Sequence, residues 1–68
     1  MEKETEKILE KIRQTRIVKK ITQFDLALEV GIAHSHLYYI ESKRVIPSID
    51  VLVKIAKALQ VPLAELLK

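Results

Sequence analysis

Cysteine and tryptophan are absent from this 68-residue sequence. Without cysteine the chain cannot form a disulfide bond or offer a thiolate to a zinc ion. Long apolar runs are missing as well, since no stretch approaches the roughly 20 apolar residues of a membrane-spanning helix. The N-terminal segment, MEKETEKILEK, is too charged to be a secretory signal. We therefore expect a soluble cytoplasmic protein that has no membrane partner.

Glycine and proline are also scarce, with one glycine and two prolines in the whole chain. Each of them falls between runs of apolar residues that have helical rather than alternating spacing. A chain of this length is close to the lower size at which a hydrophobic core alone holds a fold. The sequence therefore predicts one all-α domain over residues 1–68.

Apolar periodicity and local end signals predict five helices, over residues 3–18, 23–30, 34–42, 49–59 and 62–67. Thr22 and Ser48 are N-cap candidates, because their side-chain oxygens can accept a hydrogen bond from a first-turn amide. Gly31 can end a helix at positive φ without steric cost. Pro62 suits the first turn of the last helix.

Positive charge is concentrated in one segment. The formal net charge is +3, and residues 11–20, KIRQTRIVKK, hold five Lys and Arg and no acid. A local basic cluster is typical of a protein that binds a polyanion such as nucleic acid. A solvated lysine-rich helix face gives the same pattern, so charge alone leaves both interpretations open.

The segment from Gln23 to Ser42, QFDLALEVGIAHSHLYYIES, combines two short helices with a turn that contains glycine. Its larger apolar side chains can all face one core: Leu26, Val30, Ile32, Leu37 and Ile40. This arrangement is the physical description of a helix-turn-helix, although many helical hairpins satisfy it loosely.

From Ile12 to Leu67 the sequence resembles the phage repressor and Cro-like helix-turn-helix family, also called the xenobiotic-response-element type. The resemblance rests on IRQTR, ITQFDLA, VGI, LYYIES, the loop proline and LVKIAKALQVPLAELL. It implies a compact five-helix, lambda-repressor-like fold whose helix-turn-helix spans about residues 23–42. The sequence departs from the family pattern at Lys20 and Lys43, where glycine is frequent, and at Ala33, where a capping Ser or Thr is usual.

The resemblance also implies a function. We expect a sequence-specific transcriptional regulator that binds double-stranded DNA, most simply a repressor whose third helix enters the major groove of a palindromic operator as part of a homodimer. We expect no enzymatic activity, no cofactor and no small-molecule ligand. The alternative is a protein-interaction module of the same fold, such as an antitoxin or co-regulator, in which DNA binding is secondary.

The third helix can be divided into faces, because successive helical residues are about 100° apart. With Leu37 and Ile40 facing the core, Ser35 and Tyr39 point outward and His34 lies at the exposed N-terminal end. We predict that His34, Ser35 and Tyr39 read bases, since hydroxyls, imidazoles and aromatic ring edges suit base edges and thymine methyl groups. The reading positions of the family fall on the same three residues. For the tyrosines, core packing is the alternative.

Metal binding and catalysis are disfavoured by the same geometry. His34 and His36 diverge by about 200° around the helix and cannot hold one metal ion as residues one turn apart can. Neighbouring His and Ser residues on one helix do not converge into a nucleophile and base. We therefore predict no metal site and no catalytic residue.

A second set of residues is predicted to contact the DNA backbone. Thr22 and Gln23 begin the second helix, whose free amide groups can bind a phosphate. The resemblance implies that the glutamine at position 23 contacts the DNA backbone and also braces the third helix. The other members flank the reading face or follow the third helix, so that the full set is Thr22, Gln23, His36, Tyr38, Ser42, Lys43 and Arg44. The resemblance further implies that Arg16 and Glu41 form a partly buried structural ion pair.

Apolar residues also gather in the loop before the fourth helix and at the C-terminus. More apolar surface is present there than a core of this size needs, which predicts a two-fold dimer interface. The predicted interface residues are Val45, Ile46, Val61, Pro62, Leu63, Leu66 and Leu67. The alternative for Leu63 and Leu66 is that they close the core of the monomer.

Overall fold

The computed structural model describes residues 1–68 and contains five helices and no strand. The helices are α1 (Lys3–Val18), α2 (Gln23–Val30), α3 (His34–Glu41), α4 (Ile49–Leu59) and α5 (Leu63–Leu66). The predicted all-α, five-helix fold is therefore confirmed. The last helix is shorter than the predicted 62–67, because Pro62 has an extended backbone (φ −62°, ψ 145°) and lies just before the first turn.

Local signals explain where two of the helices, α2 and α4, begin. The Thr22 hydroxyl accepts a hydrogen bond from the Asp25 amide at 3.0 Å, and the Ser48 hydroxyl accepts one from the Val51 amide at 3.2 Å. Each bond satisfies one of the amides that a helix start leaves without a partner. Ala33 occupies the equivalent position of α3 and has no side chain that could do the same.

Four helices end at a residue with positive φ: Lys20 (60°), Gly31 (84°), Lys43 (66°) and Gln60 (58°). The backbone amide of the residue that follows each of them donates a hydrogen bond to the carbonyl five residues before it. The four donor and acceptor pairs are Ile21 and Arg16, Ile32 and Ala27, Arg44 and Tyr39, and Val61 and Ala56. This hydrogen bond is typical of a Schellman helix end. Glycine adopts the conformation without strain, whereas the two lysines and the glutamine hold it against the clash of a Cβ atom.

The core is a single cluster of eleven buried apolar residues: Leu9, Ile12, Leu26, Ala27, Val30, Leu37, Ile40, Ile55, Ala56, Leu59 and Leu66. They come from all five helices, and α2 packs against both α3 and α4. Small Ala27 allows the close approach of these helices. The packing fixes α3 with Leu37 and Ile40 facing inward.

Leu66 corrects the predicted dimer interface. Its side chain is fully buried inside the monomer, so it closes the core and cannot lie on a dimer surface. Val45, Val61 and Leu63 are partly buried and pack against the same core. The reason is that α5 contacts both α1 and α4, which turns its inner side toward the centre of the molecule.

The remaining predicted interface residues do lie on the surface. Ile46 is 62% exposed and Leu67 is 54% exposed, and Pro62 is exposed as well. Ile49, at the start of α4, is 72% exposed as well. None of the helices combines the length and the apolar character that crossing a lipid bilayer requires.

Candidate nucleic-acid interface

The outer face of α3 carries the three predicted base-reading residues. His34, Ser35 and Tyr39 are exposed, while Leu37 and Ile40 on the opposite side have no exposed surface. The helical periodicity of an eight-residue helix explains this division, because the two inner residues fix the direction of all the others.

A shallow depression of about 360 Å³ lies between α2 and α3 and is lined by Gln23, His34, Ser35, Tyr38 and Tyr39. We call it the α2–α3 depression. It brings all three predicted base readers together with two of the residues that were predicted to contact the DNA backbone. His36, which was also predicted to contact the DNA backbone, is partly buried at the side of α3.

A buried ion pair supports the C-terminal end of α3. Nε and an Nη atom of Arg16 donate hydrogen bonds to the two carboxylate oxygens of Glu41, at 2.8 and 3.0 Å. The Glu41 side chain is only 2% exposed and that of Arg16 only 12%. The second Nη atom of Arg16 donates to the Ile21 carbonyl at 2.9 Å. The planar guanidinium therefore ties α1, the loop that follows it and α3 into one fixed geometry.

Gln23 connects this ion pair to the outer face of α3. Its Nε2 donates a hydrogen bond to Oε1 of Glu41 at 3.0 Å, and its Oε1 lies 3.2 Å from Nε2 of His34. An ionised carboxylate can only accept, which fixes the orientation of the amide and makes His34 the donor of the second bond. The side chain of Gln23 therefore links Glu41 to His34.

The family resemblance gave Gln23 a role in bracing the third helix, but the sequence did not identify the residues that it bonds to. Gln23 was predicted to contact the DNA backbone and His34 to read bases, but neither prediction included a bond between them. The two residues are 11 positions apart and Gln23 is 18 positions from Glu41. No short-range pattern links residues at these separations, because the contacts exist only after α2 packs across α3.

Aromatic side chains extend the face on both sides of the α2–α3 depression. The rings of Tyr38 and Tyr39 meet edge to face with their centroids 5.6 Å apart, and the guanidinium carbon of Arg44 lies 5.8 Å from the centroid of Tyr39. On the other side, Phe24 meets the ring of His34 edge to face at 6.2 Å. Phe24 is 60% exposed and had not been assigned a role from the sequence.

Lys43 makes an ion pair that the sequence did not reveal. Its Nζ lies 2.8 Å from Oε1 of Glu10 on α1, and Glu10 also accepts hydrogen bonds from Gln14 at 3.2 Å and Arg13 at 3.3 Å. The hydrogen bond from Lys43 is the main cause that lowers the pKa of Glu10, with smaller contributions from Gln14 and the charge of Arg13. The carboxylate of Glu10 therefore stays ionised at pH values somewhat below the usual pKa of a glutamate.

No group of three His, Cys, Asp or Glu side chains converges in a way that could hold a metal ion. The imidazole of His34 is directed to Gln23. His36 lies on a different side of α3 and makes no hydrogen bond to His34. The arrangement offers hydrogen-bonding groups and ring edges on a convex helix. This suits contact with a groove of nucleic acid.

Comparisons with known proteins agree with this geometry. A helix-turn-helix family model of the Cro/C1 type matches residues 12–66. Two solved structures superpose closely. The restriction-modification controller protein C.AhdI from Aeromonas hydrophila is 28% identical, with a TM-score of 0.85 and coverage of 88% of this chain and 91% of that chain. The hypothetical transcription factor NHTF from Neisseria is 28% identical, with a TM-score of 0.86 and coverage of 94% and 75%. A comparison with curated protein sequences finds no match.

Proposed function

The chain belongs to the Cro/C1-type helix-turn-helix family and is a DNA-binding transcriptional regulator, and we propose that it recognises a specific operator by placing α3 in the major groove. The observation that carries this proposal is the outer face of α3, where His34, Ser35 and Tyr39 are exposed around one depression. B-DNA presents a distinct set of donors, acceptors and methyl groups for each base pair in this groove.

The three residues differ in how firmly they are held. Gln23 holds His34 through a hydrogen bond, and Arg44 lies against the ring of Tyr39. Ser35 makes no side-chain hydrogen bond within the protein and can turn its hydroxyl to either a donor or an acceptor. Side chains that are ordered before binding lose less entropy when they bind, so His34 and Tyr39 are suited to carry base preference.

We assign the backbone contacts to groups beside this face. The start of α2 at Thr22 and Gln23 presents backbone amides to a phosphate, and Lys43 and Arg44 follow α3 with their positive charges. Ser42 is exposed next to them, and His36 and Tyr38 lie at the sides of α3. Their role is to set the position of α3 on the duplex, whereas sequence preference comes from the base contacts.

The proposed assembly on DNA is a homodimer on a palindromic operator. Half-sites about one helical turn apart require two symmetric copies of α3. The exposed apolar side chains of Ile46, Ile49 and Leu67 support a dimer surface, with Pro62 also exposed. Val45, Val61 and Leu63 contribute only the parts that the core leaves uncovered. Occupation of the operator then represses transcription in the cytoplasm.

Selection of bound sites from random double-stranded DNA tests the recognition proposal directly. We expect an enriched palindrome with two half-sites about 10 base pairs apart, centre to centre. Sedimentation of the protein with and without the selected DNA measures the number of chains per duplex. An enriched site that lacks two-fold symmetry and binds a single chain would contradict the dimer, and no enrichment would contradict sequence-specific reading.

A protein-interaction role is the second candidate, because α2 exposes two large apolar side chains. Phe24 is 60% exposed and Leu28 is 71% exposed, one helical turn apart. A titration with mixed-sequence duplex DNA at two salt concentrations separates the candidates. A DNA-binding protein should lose affinity steeply with salt, with a log-log slope near −0.9 per neutralised phosphate. Absence of binding at low salt would favour the interaction module.

A further inference from the structure

The ion pair between Glu10 and Lys43 joins α1 to the segment that follows α3. Oε1 of Glu10 and Nζ of Lys43 are 2.8 Å apart, and each of the two side chains is 33% exposed. Glu10 is also the acceptor for Gln14 and Arg13. One carboxylate therefore collects donors from three side chains, two of which are cationic.

The backbone directs Lys43 toward this carboxylate. Lys43 has a φ of 66°, and its amide bonds back to Ile40 while the next amide bonds back to Tyr39. The positive φ turns the chain sharply after α3. Arg44, one residue later, is instead directed to Tyr39 on the reading face. Two adjacent basic residues thus have different partners, one a carboxylate and the other an aromatic ring.

The other acid near this segment cannot play the same part. Glu41 is buried and has both oxygens bonded by Arg16. Glu10 is accessible, and its oxygens resemble those of a phosphate in charge and in their ability to accept hydrogen bonds. A DNA phosphate that approaches Lys43 meets an ammonium group that already has an anionic partner.

We propose that Glu10 is an autoinhibitory residue, which competes with DNA phosphates for Lys43 and so weakens binding to DNA of any sequence. This inference rests on the proposed function of the segment from Ser42 to Arg44. Non-specific binding depends almost entirely on phosphate contacts, whereas operator binding also has base contacts. Because Lys43 would contact a phosphate in either complex, an intramolecular competitor for that contact lowers both affinities by about the same factor.

The test is the affinity of Glu10→Gln for mixed-sequence duplex DNA at low salt. The substitution keeps the size and a hydrogen-bond acceptor and removes the charge. We expect binding to strengthen roughly two- to fivefold, which corresponds to the worth of an exposed ion pair. The gain should shrink in a Lys43→Gln background, and it should decrease as salt screens the charges. For the selected operator the gain should be about the same as for mixed-sequence DNA, because Lys43 contacts a phosphate in both complexes.

Glu4→Gln is the matched control. Glu4 lies on the same helix, is exposed and makes no side-chain hydrogen bond or ion pair, and its substitution changes the net charge by the same amount. An equal gain from Glu4→Gln would show that net charge alone is responsible and would overturn the proposal. A gain from Glu10→Gln that is undiminished in the Lys43→Gln background would overturn the role of Lys43.

The outcome for the wild type separates this inference from the proposed function. If the wild type and both glutamate variants fail to bind DNA at low salt, the proposed function itself is wrong. If the wild type binds and Glu10→Gln binds no better, DNA recognition stands and the competition by Glu10 is refuted. Thermal unfolding of each variant, followed by circular dichroism, shows that the compared proteins are equally folded.

Discussion

Removing Glu41 should nearly unfold the domain, because Arg16 would keep its charge in a site that excludes water. In Glu41→Leu the guanidinium of Arg16, 12% exposed, loses two hydrogen bonds and the only carboxylate that neutralises it. Breaking a buried pair by removing one partner costs about 3–5 kcal/mol. A domain of this length has a total stability of about 3–10 kcal/mol. The variant should therefore lose a large part of its free energy of unfolding.

The measurement is urea denaturation followed by far-ultraviolet circular dichroism, with the denaturation midpoint and slope compared between proteins. The double variant Arg16→Met with Glu41→Leu is the control, since replacing a buried pair with apolar residues of similar volume is often neutral. We expect it to recover most of the stability lost in the single variant. A loss below about 1 kcal/mol in Glu41→Leu would refute the reasoning, because that is the worth of an exposed pair.

The same double variant tests the connection between the ion pair and the outer face of α3. It should fold, but Gln23 would no longer have the carboxylate that orients its amide, and His34 would lose a fixed partner. We expect the preference for the selected operator over a mutated site to fall by roughly fivefold, in line with the loss of about one hydrogen bond. Unchanged preference in a folded double variant would show that Gln23 orients His34 without help from Glu41.

Three further predictions concern single positions. Lys20→Gly should raise stability by about 1 kcal/mol, because φ at this position is 60°; a melting temperature about 4–8 °C higher would agree, and an unchanged one would contradict it. Tyr39→Ala or Ser35→Ala should relax base preference at one operator position by about 1–3 kcal/mol, measured by repeated site selection; an unchanged selected sequence would show that another face reads DNA. The ion pair of Glu10 with Lys43 should stabilise the fold at pH values above the pKa that Glu10 has in the unfolded chain. This stabilisation should be lost as the pH falls through the lower pKa that Glu10 has in the folded protein. Denaturation across acidic pH should show this loss in the wild type and not in Glu10→Gln.

Much of the fold could be predicted because its determinants are local. The caps at Thr22 and Ser48 and the turn at Gly31 act over three or four residues, and they set where the helices begin and end. Helical periodicity likewise fixed the inward direction of Leu37 and Ile40, and with it the outward face of α3. These signals lie in consecutive residues and depend little on how the helices pack.

The rest was decided by tertiary structure, because it depends on residues that meet only when helices cross. Leu66 could close the core or lie on a dimer surface, and only the packing of α5 against α1 and α4 shows that it is buried. The bonds from Gln23 to Glu41 and His34 join three helix ends that are far apart in sequence. The ion pair of Glu10 with Lys43 spans 33 positions. The sequence by itself determined which face of α3 points outward, because helical periodicity is local. The packing determined how that face is held, because its supporting bonds join residues from different helices.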